Sequence, residues 1–321
     1  MNLGNVIGII LKEGGPTSHA VIVAKNLGIP CVIGVGESIK EIKNDDLIAL
    51  DGSTGTLNIN PDEEIIKNMN ETKKQEEEVR NNFTLPLYEE QDFEFLINVG
   101  SGEEIESFNH PFLNSIGLFR SEFIYLDRSS IPTIDEQREI LEKIQDKFSG
   151  TVTYRTLDIG GDKQVDYLSL PTEENPFLGV RGIRLSLKNE ELYRSQIESI
   201  LTSKDANRVK IMFPMISTIE DFIKSKNIIE DTAKNLNKKI PEVGIMIETP
   251  SSTILIEDFA QYVDFFSVGT NDLTQYIMAA DRGNPNLMEY HDSLHPAILR
   301  VLENVVSVSK KYKKDVSVCG E

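Results

Sequence analysis

Beyond Phe83 the sequence repeats one unit, a short apolar run with strand composition followed by a longer amphipathic stretch with helical spacing. The runs fall at 96–99, 116–119, 152–157, 209–213, 243–247, 265–268 and 316–318. No other feature constrains the fold as much. Strands that alternate with helices pair in parallel, and the helices then cover the sheet. Seven such strands fit either a doubly wound sheet or a (β/α)8 barrel that lacks one strand.

Residues 1–60 read as a smaller α/β unit, with strands over 6–10, 29–33, 47–50 and 56–59 and a helix over 18–27. A turn is expected at Asp51-Gly52-Ser53-Thr54-Gly55. From 61 to 84 the chain is charged, with Ile65, Ile66 and Met69 at helical spacing, which reads as a solvated linker helix. The expected organisation is therefore 1–60, a linker over 61–84, and the strand–helix domain over 85–321. With 33 Lys+Arg against 52 Asp+Glu, the net charge of −19 argues against binding nucleic acid or an anionic membrane surface. No apolar run approaches the roughly 18 residues of a membrane-spanning helix. The apolar start at 3–11 has no basic flank and no cleavage site, so a cytoplasmic protein is expected. Cys31 and Cys319 lie at opposite ends of the chain, which is no disulfide framework.

Polar groups recur where the apolar runs end. Arg120 follows Phe119, Arg155 follows Tyr154, Glu248 follows Ile247, Gly269-Thr270-Asn271-Asp272 follows Val268, and Cys319 follows Val318. In a parallel barrel all these ends lie on one face, where catalytic residues collect from several strands. Arg120 and Arg155, with Arg282 in Ala279-Ala280-Asp281-Arg282-Gly283-Asn284, suit phosphate or carboxylate oxygens. Glu248 and Asp272 are hard oxygen ligands, too few for a closed cage, which suits Mg²⁺ sharing its remaining positions with water and a phosphate.

The first domain supplies a nucleophile. Glu13-Gly14-Gly15-Pro16-Thr17-Ser18-His19-Ala20 runs from a strand through two glycines into the start of a helix. His19 would sit beside unpaired N–H groups at the positive end of the helix dipole. That location keeps the imidazole neutral and favours a phosphate carried on it.

These residues resemble a known family. Gly14-Gly15-Pro16-Thr17-Ser18-His19-Ala20 with Ala24-Lys25-Asn26-Leu27-Gly28-Ile29-Pro30 is similar to the phosphohistidine motif of phosphoenolpyruvate-utilising enzymes. Three further motifs resemble enzyme I of the phosphoenolpyruvate:sugar phosphotransferase system. They are Arg155-Thr156-Leu157-Asp158-Ile159-Gly160-Gly161-Asp162-Lys163, Asn175-Pro176-Phe177-Leu178-Gly179-Val180-Arg181-Gly182-Ile183-Arg184 and Gly269-Thr270-Asn271-Asp272-Leu273-Thr274-Gln275-Tyr276.

The resemblance implies a phosphohistidine swivel domain followed by a TIM-type (β/α)8 barrel. It implies transfer of the phosphoryl group of phosphoenolpyruvate to His19 with Mg²⁺, release of pyruvate, and relay to the carrier protein HPr in sugar uptake. By similarity Arg120, Arg155, Arg282, Asn271 and Lys163 hold substrate, Glu248 and Asp272 carry Mg²⁺, and Cys319 gives a proton to the enolate carbon. That last role needs a protonated thiol. The full-length family is homodimeric. The helical domain that docks HPr and the last barrel strand have no counterpart in this sequence, so it is expected to be the central part of such an enzyme, with little transfer to HPr and doubtful dimerisation. The alternative is a non-catalytic remnant that binds phosphoenolpyruvate without turnover. A dikinase or synthase relative would need a nucleotide-binding domain with a Gly-rich phosphate loop, which the sequence does not show.

Overall fold

The computed structural model describes residues 6–13, 21, 24, 29–81, 93–100, 102–108, 113–126, 128–161, 165–168 and 173–320. They divide into two compact units, residues 1–95 and 96–321.

In the first unit β1 (Ile9–Leu11) pairs in parallel with β2 (Cys31–Ile33). The strands β3 (Ile48–Asp51) and β4 (Thr56–Ile59) form an antiparallel hairpin. The expected turn joins them, and Asp51 organises it by accepting from the Ser53 N–H at 2.8 Å and the Ser53 hydroxyl at 2.6 Å. Hydrogen bonds from the Ser53 and Thr54 side chains hold the Asp51 carboxyl down to about 2. A helix, Glu63–Asn81, follows Pro61 with Glu63 and Glu64 in its first turn, where the helix dipole favours negative charge. The helix expected over 18–27, and His19 with it, lies almost entirely outside the described residues.

The seven runs of the second unit become β5 (Ile97–Val99), β6 (Ile116–Arg120), β7 (Val152–Arg155), β8 (Val209–Phe213), β9 (Glu242–Ile247), β10 (Phe265–Gly269) and β11 (Asp315–Cys319). All are parallel, and their order across the sheet is the order of the chain. A doubly wound sheet reverses its strand order once; this one never does, so every crossover steps the same way, as in a (β/α)8 barrel. The sheet also curls. Lys210 on β8 reaches Asp315 on β11 at 3.7 Å, although strands three places apart in a flat sheet would be about 14 Å from each other. The same ammonium pairs with Glu242 on β9 at 2.7 Å and lies 5.4 Å from the Phe265 ring.

Alternation along the strands separates two faces. Phe119, Val152, Tyr154, Val209, Ile211, Phe213, Val243, Ile245, Ile247, Phe266 and Val268 point outward into the large core beneath the helices. Their neighbours Leu118, Met212, Met246 and Phe265 point inward and form a second, smaller cluster that Cys319 packs against. On the helix side, Phe222, Ser225, Ile228, Ile229, Thr232 and Ala233 form the buried stripe of Ile219–Leu236. Near-continuous apolar strands, covered outside and filled inside, are what a parallel sheet requires.

Several helix starts are set by side chains. Ile134–Lys147 begins at Thr133, whose hydroxyl accepts from the Glu136 N–H at 3.2 Å while the Glu136 carboxylate accepts from the Thr133 N–H at 2.7 Å. Arg128 donates to the same carboxylate, and together these bonds hold it down to about 2 from an ordinary value of 4.5. A carboxyl lowered on folding stabilises the fold above its unfolded pKa and loses that contribution as pH falls through its folded one. Glu136→Gln should therefore lose less of its unfolding midpoint between pH 5 and pH 2 than the parent does. Equal losses, measured by urea titration, would discount this cap as a titrating contact.

Candidate active site

The ends of the strands bring most of the expected residues onto one layer of the inner face. Arg120 closes β6 and stands in register with Arg155, which closes β7. Glu248 follows β9 directly, and Gly269 at the end of β10 is in register with Cys319 at the end of β11. A Cβ added at Gly269 would lie 3.0 Å from Glu248 Oε2 and 2.9 Å from Met246 Sδ, so the glycine leaves the carboxylate its place. Asn271 and Asp272 form the first turn of the helix Thr270–Ile277 that begins straight after β10. Arg282 reaches back to Asp272, with Nη1 3.5 Å from Oδ1. Lys163 lies outside the described residues.

Carboxylates brace the guanidinium groups. Arg155 Nη2 donates to Glu122 Oε1 at 2.6 Å and lies 3.4 Å from Asp158 Oδ2, while Nη1 approaches Met246 Sδ at 3.7 Å across the barrel. Arg181 donates from Nη2 to both oxygens of Asp158 at 3.1 Å and from Nη1 to Asp272 Oδ1 at 2.9 Å. Asp158 therefore bridges Arg155 and Arg181, and Asp272 bridges Arg181 and Arg282. Burial works against the charge of both Arg155 and Arg181. The neighbouring carboxylates more than offset it, and both groups hold their protons more firmly than usual.

Exposure divides the four arginines by use. The side chains of Arg155 and Arg181 are 8% and 2% exposed, whereas Arg120 and Arg282 keep 33% and 21%. Arg181 is a strut within the wall. Its position depends on Gly182, whose φ of 56° favours glycine and whose added Cβ would meet Met215 Cγ at 2.9 Å. Arg120 donates to both oxygens of Glu104 through Nη2 alone, at 3.1 and 3.2 Å, and its Nε has no partner among the described residues. The Phe177 ring lies beside two guanidinium groups, 5.0 Å from Arg282 and 5.8 Å from Arg181, and the Tyr276 hydroxyl donates to the Phe177 carbonyl. The segment around Phe177 is thereby fastened to the mouth of the barrel.

Glu248 accepts from the Met215 N–H at 2.6 Å through Oε1. Its burial, with Asp272 and Asp158 near it, pushes its carboxyl up to about 8 against the pull of Arg155 and Arg181. A buried Glu248 whose proton affinity is raised by its carboxylate neighbours forms a site that a divalent cation would relieve. Among the described residues no group of three or more His, Cys, Asp or Glu side chains is arranged to hold a metal. The donor set is thus a pair of hard oxygens with positions left over, which fits Mg²⁺. Cys319 donates to the Val268 carbonyl at 3.4 Å, and burial pushes its thiol up, so it is protonated near neutral pH. Gly320, with φ of 143°, lets the Thr270 hydroxyl reach the Cys319 carbonyl at 3.1 Å; a Cβ there would overlap Thr270 Oγ1.

Sequence reading assigned no role to Glu122, nor to Asp158, Phe177 or Tyr276, which it quoted only within motifs. Glu122 and Asp158 each lie within three residues of one of the arginines. Carboxylates so near a cluster of strand-end arginines were the available signal.

The family described as "PEP-utilising enzyme, PEP-binding domain" matches residues 73–321, and "PEP-utilising enzyme, mobile domain" matches residues 1–55. A phosphoenolpyruvate-protein phosphotransferase of Mycoplasma capricolum subsp. capricolum is 39% identical over 98% of this chain and 57% of its own length. Proteins of the same name from Haloferax volcanii and Listeria innocua are each 38% identical, over 98% and 100% of this chain and 57% and 58% of theirs. The chain thus spans a little over half the length of these relatives. Among solved structures, a HpcH/HpaI aldolase/citrate lyase family protein from Burkholderia cenocepacia J2315 aligns with 70% of this chain and 77% of its own at 13% identity and a TM-score of 0.42, a likeness that carries no functional argument. With both domain types matched over nearly all its residues, the chain belongs to the PEP-utilising enzyme family.

Proposed function

We propose that this chain carries the phosphoenolpyruvate-handling core of a phosphoenolpyruvate-protein phosphotransferase. Three arginines, two carboxylates and a protonated thiol converge at the strand ends of the 96–321 unit, and that convergence carries the reading. In this proposal residues 1–60 are the mobile phosphohistidine domain, 61–84 the linker and 85–321 the barrel. Arg120, Arg155 and Arg282 hold the phosphate and carboxylate of the substrate, with Asn271 and Lys163 adding hydrogen bonds. Arg120 and Arg155 are tied to the carboxylates of Glu104 and Glu122, which restricts how their remaining N–H groups can turn. Pre-aimed donors act where charge develops without a reorganisation cost during the reaction. Glu248 and Asp272 are the ligands for Mg²⁺, which when bound would neutralise charge on the phosphoryl oxygens. His19 attacks phosphorus in line as a neutral imidazole, the bond from phosphorus to the enol oxygen breaks, and pyruvate enolate is left. Cys319 then protonates the enolate carbon. The phosphoryl group on His19 is of the kind relayed to HPr, with little such transfer expected from this chain by itself, and the reaction is placed in the cytoplasm. No helix among the described residues is long and apolar enough to cross a membrane.

Incubation with ³²P-labelled phosphoenolpyruvate and Mg²⁺ should place acid-labile label on His19, and His19→Ala should take up none while still binding the substrate. Label that persists in the variant, or none in the parent, would overturn the assignment.

A further inference from the structure

Ser267 sits in the middle of β10 between Phe266 and Val268, both of which point outward into the large core. Its own side chain therefore faces the interior, in line with Phe265 below it and Gly269 above. The residue is 1% exposed, and among the described residues its hydroxyl is left with no partner but the Cys319 sulfur, whose thiol pKa it lowers. A buried hydroxyl without a strong partner carries a desolvation penalty and calls for an explanation. Ser317 is its register partner on β11, and Cys319, two residues further along, shares the same face.

The thiol of Cys319 is directed at the Val268 carbonyl, while the Ser267 hydroxyl beside it favours the deprotonated sulfur. We propose that Ser267 is the hydrogen-bond donor that receives the Cys319 sulfur once the thiol has given up its proton, which makes the serine a positioning residue for that step. The inference rests on the reading of Cys319 as proton donor. In that step the S–H bond breaks, a C–H bond forms at the methylene carbon of the pyruvate enolate, and the S–H electron pair stays on sulfur. The thiolate left behind can only accept, and the Val268 carbonyl is no longer a partner for it. The serine proton is a neutral hydrogen-bonding group of this wall left unspent.

The surroundings of the sulfur agree. Burial raises the thiol pKa and Glu248 beyond β9 raises it further, while Arg155 on β7, the Ser267 hydroxyl and Arg120 on β6 lower it. The arginines are committed to carboxylates and would serve the substrate, so the serine is the neutral donor left to the sulfur during turnover.

The test uses protein labelled with [3-¹³C]cysteine in a Cys31→Ser background, with a chelator present and no substrate. The Cys319 Cβ signal is followed by NMR as pH is raised. Ser267→Ala should move the titration midpoint up by about 0.5–1 pH unit, a three- to tenfold gain in proton affinity. Ser267→Thr, which keeps the hydroxyl, should stay close to the parent. An unchanged midpoint in Ser267→Ala, or an equal rise in both variants, would overturn the proposal. Because no phosphoryl transfer is involved, a failure to label His19 would sink the functional reading and leave these midpoints to decide the role of the serine by themselves.

Discussion

Asp158→Ala is expected to lower the stability of the 96–321 unit by about 3–5 kcal/mol, as is typical when one partner of a buried ion pair is removed. Asp158 is 2% exposed and stands between the guanidinium groups of Arg155 and Arg181. Its removal leaves two buried like charges with one carboxylate fewer between them. The loss should appear as a lower urea midpoint at unchanged slope. Asp158→Asn, which keeps the volume and some of the hydrogen bonding, should fall between variant and parent. Adding Arg181→Met to Asp158→Ala should recover part of the loss, because it removes the charge left uncompensated. A loss under about 1 kcal/mol for Asp158→Ala would mean that the arginines find other partners and that the bridge is not what holds them.

The second large effect concerns turnover. Arg155→Gln is expected to slow the labelling of His19 by phosphoenolpyruvate by about 10²–10³-fold, the range found when one fixed donor to developing charge is removed. Arg155→Lys keeps the charge but loses the planar fork, and should sit between the two. Since Glu122 is fully buried and would lose its 2.6 Å partner, urea midpoints must be measured on the same preparations. Labelling within about tenfold of the parent, in a variant that is still folded at the assay temperature, would remove Arg155 from the substrate site.

Much of the fold was legible because parallel strands covered on both sides are written as unbroken apolar runs. All seven runs became strands within a few residues of their expected bounds. The exception in length is 152–157, where the strand stops at Arg155 and the chain leaves the ladder, with Leu157 still buried and its N–H satisfied by the Gln196 side chain at 2.9 Å. An apolar run records burial and says nothing of which partner its backbone takes. Strand order, which separates a barrel from a doubly wound sheet, is a property of the assembled sheet and left no local trace. The site divides in the same way. The strand-end arginines and carboxylates could be read from position, because the ends of parallel strands share one face. The braces behind them could not. The bond from Arg181 to Asp272 joins residues 91 apart in sequence, and that from Arg155 to Glu122 joins residues 33 apart. Nothing in the spacing distinguishes a buried Glu122 from any solvated glutamate. The single-residue alternation that places Ser267 opposite the sense of its neighbours was available from the outset, but it becomes informative only when the inner face is known to be occupied by chemistry.

That alternation also bears on how such a sequence can drift. Adjacent residues such as Ile211 and Met212, or Met246 and Ile247, belong to different apolar clusters on opposite faces of the sheet. Substitutions confined to the outward set are absorbed by the helices, and those confined to the inward set are felt at the mouth, so their effects combine nearly additively. A lineage can therefore exchange its outer packing residue by residue while the inner column stays fixed. Two copies separated for a long time would resemble each other at every second position of their strands, a comb-like record of which side of the wall each residue serves.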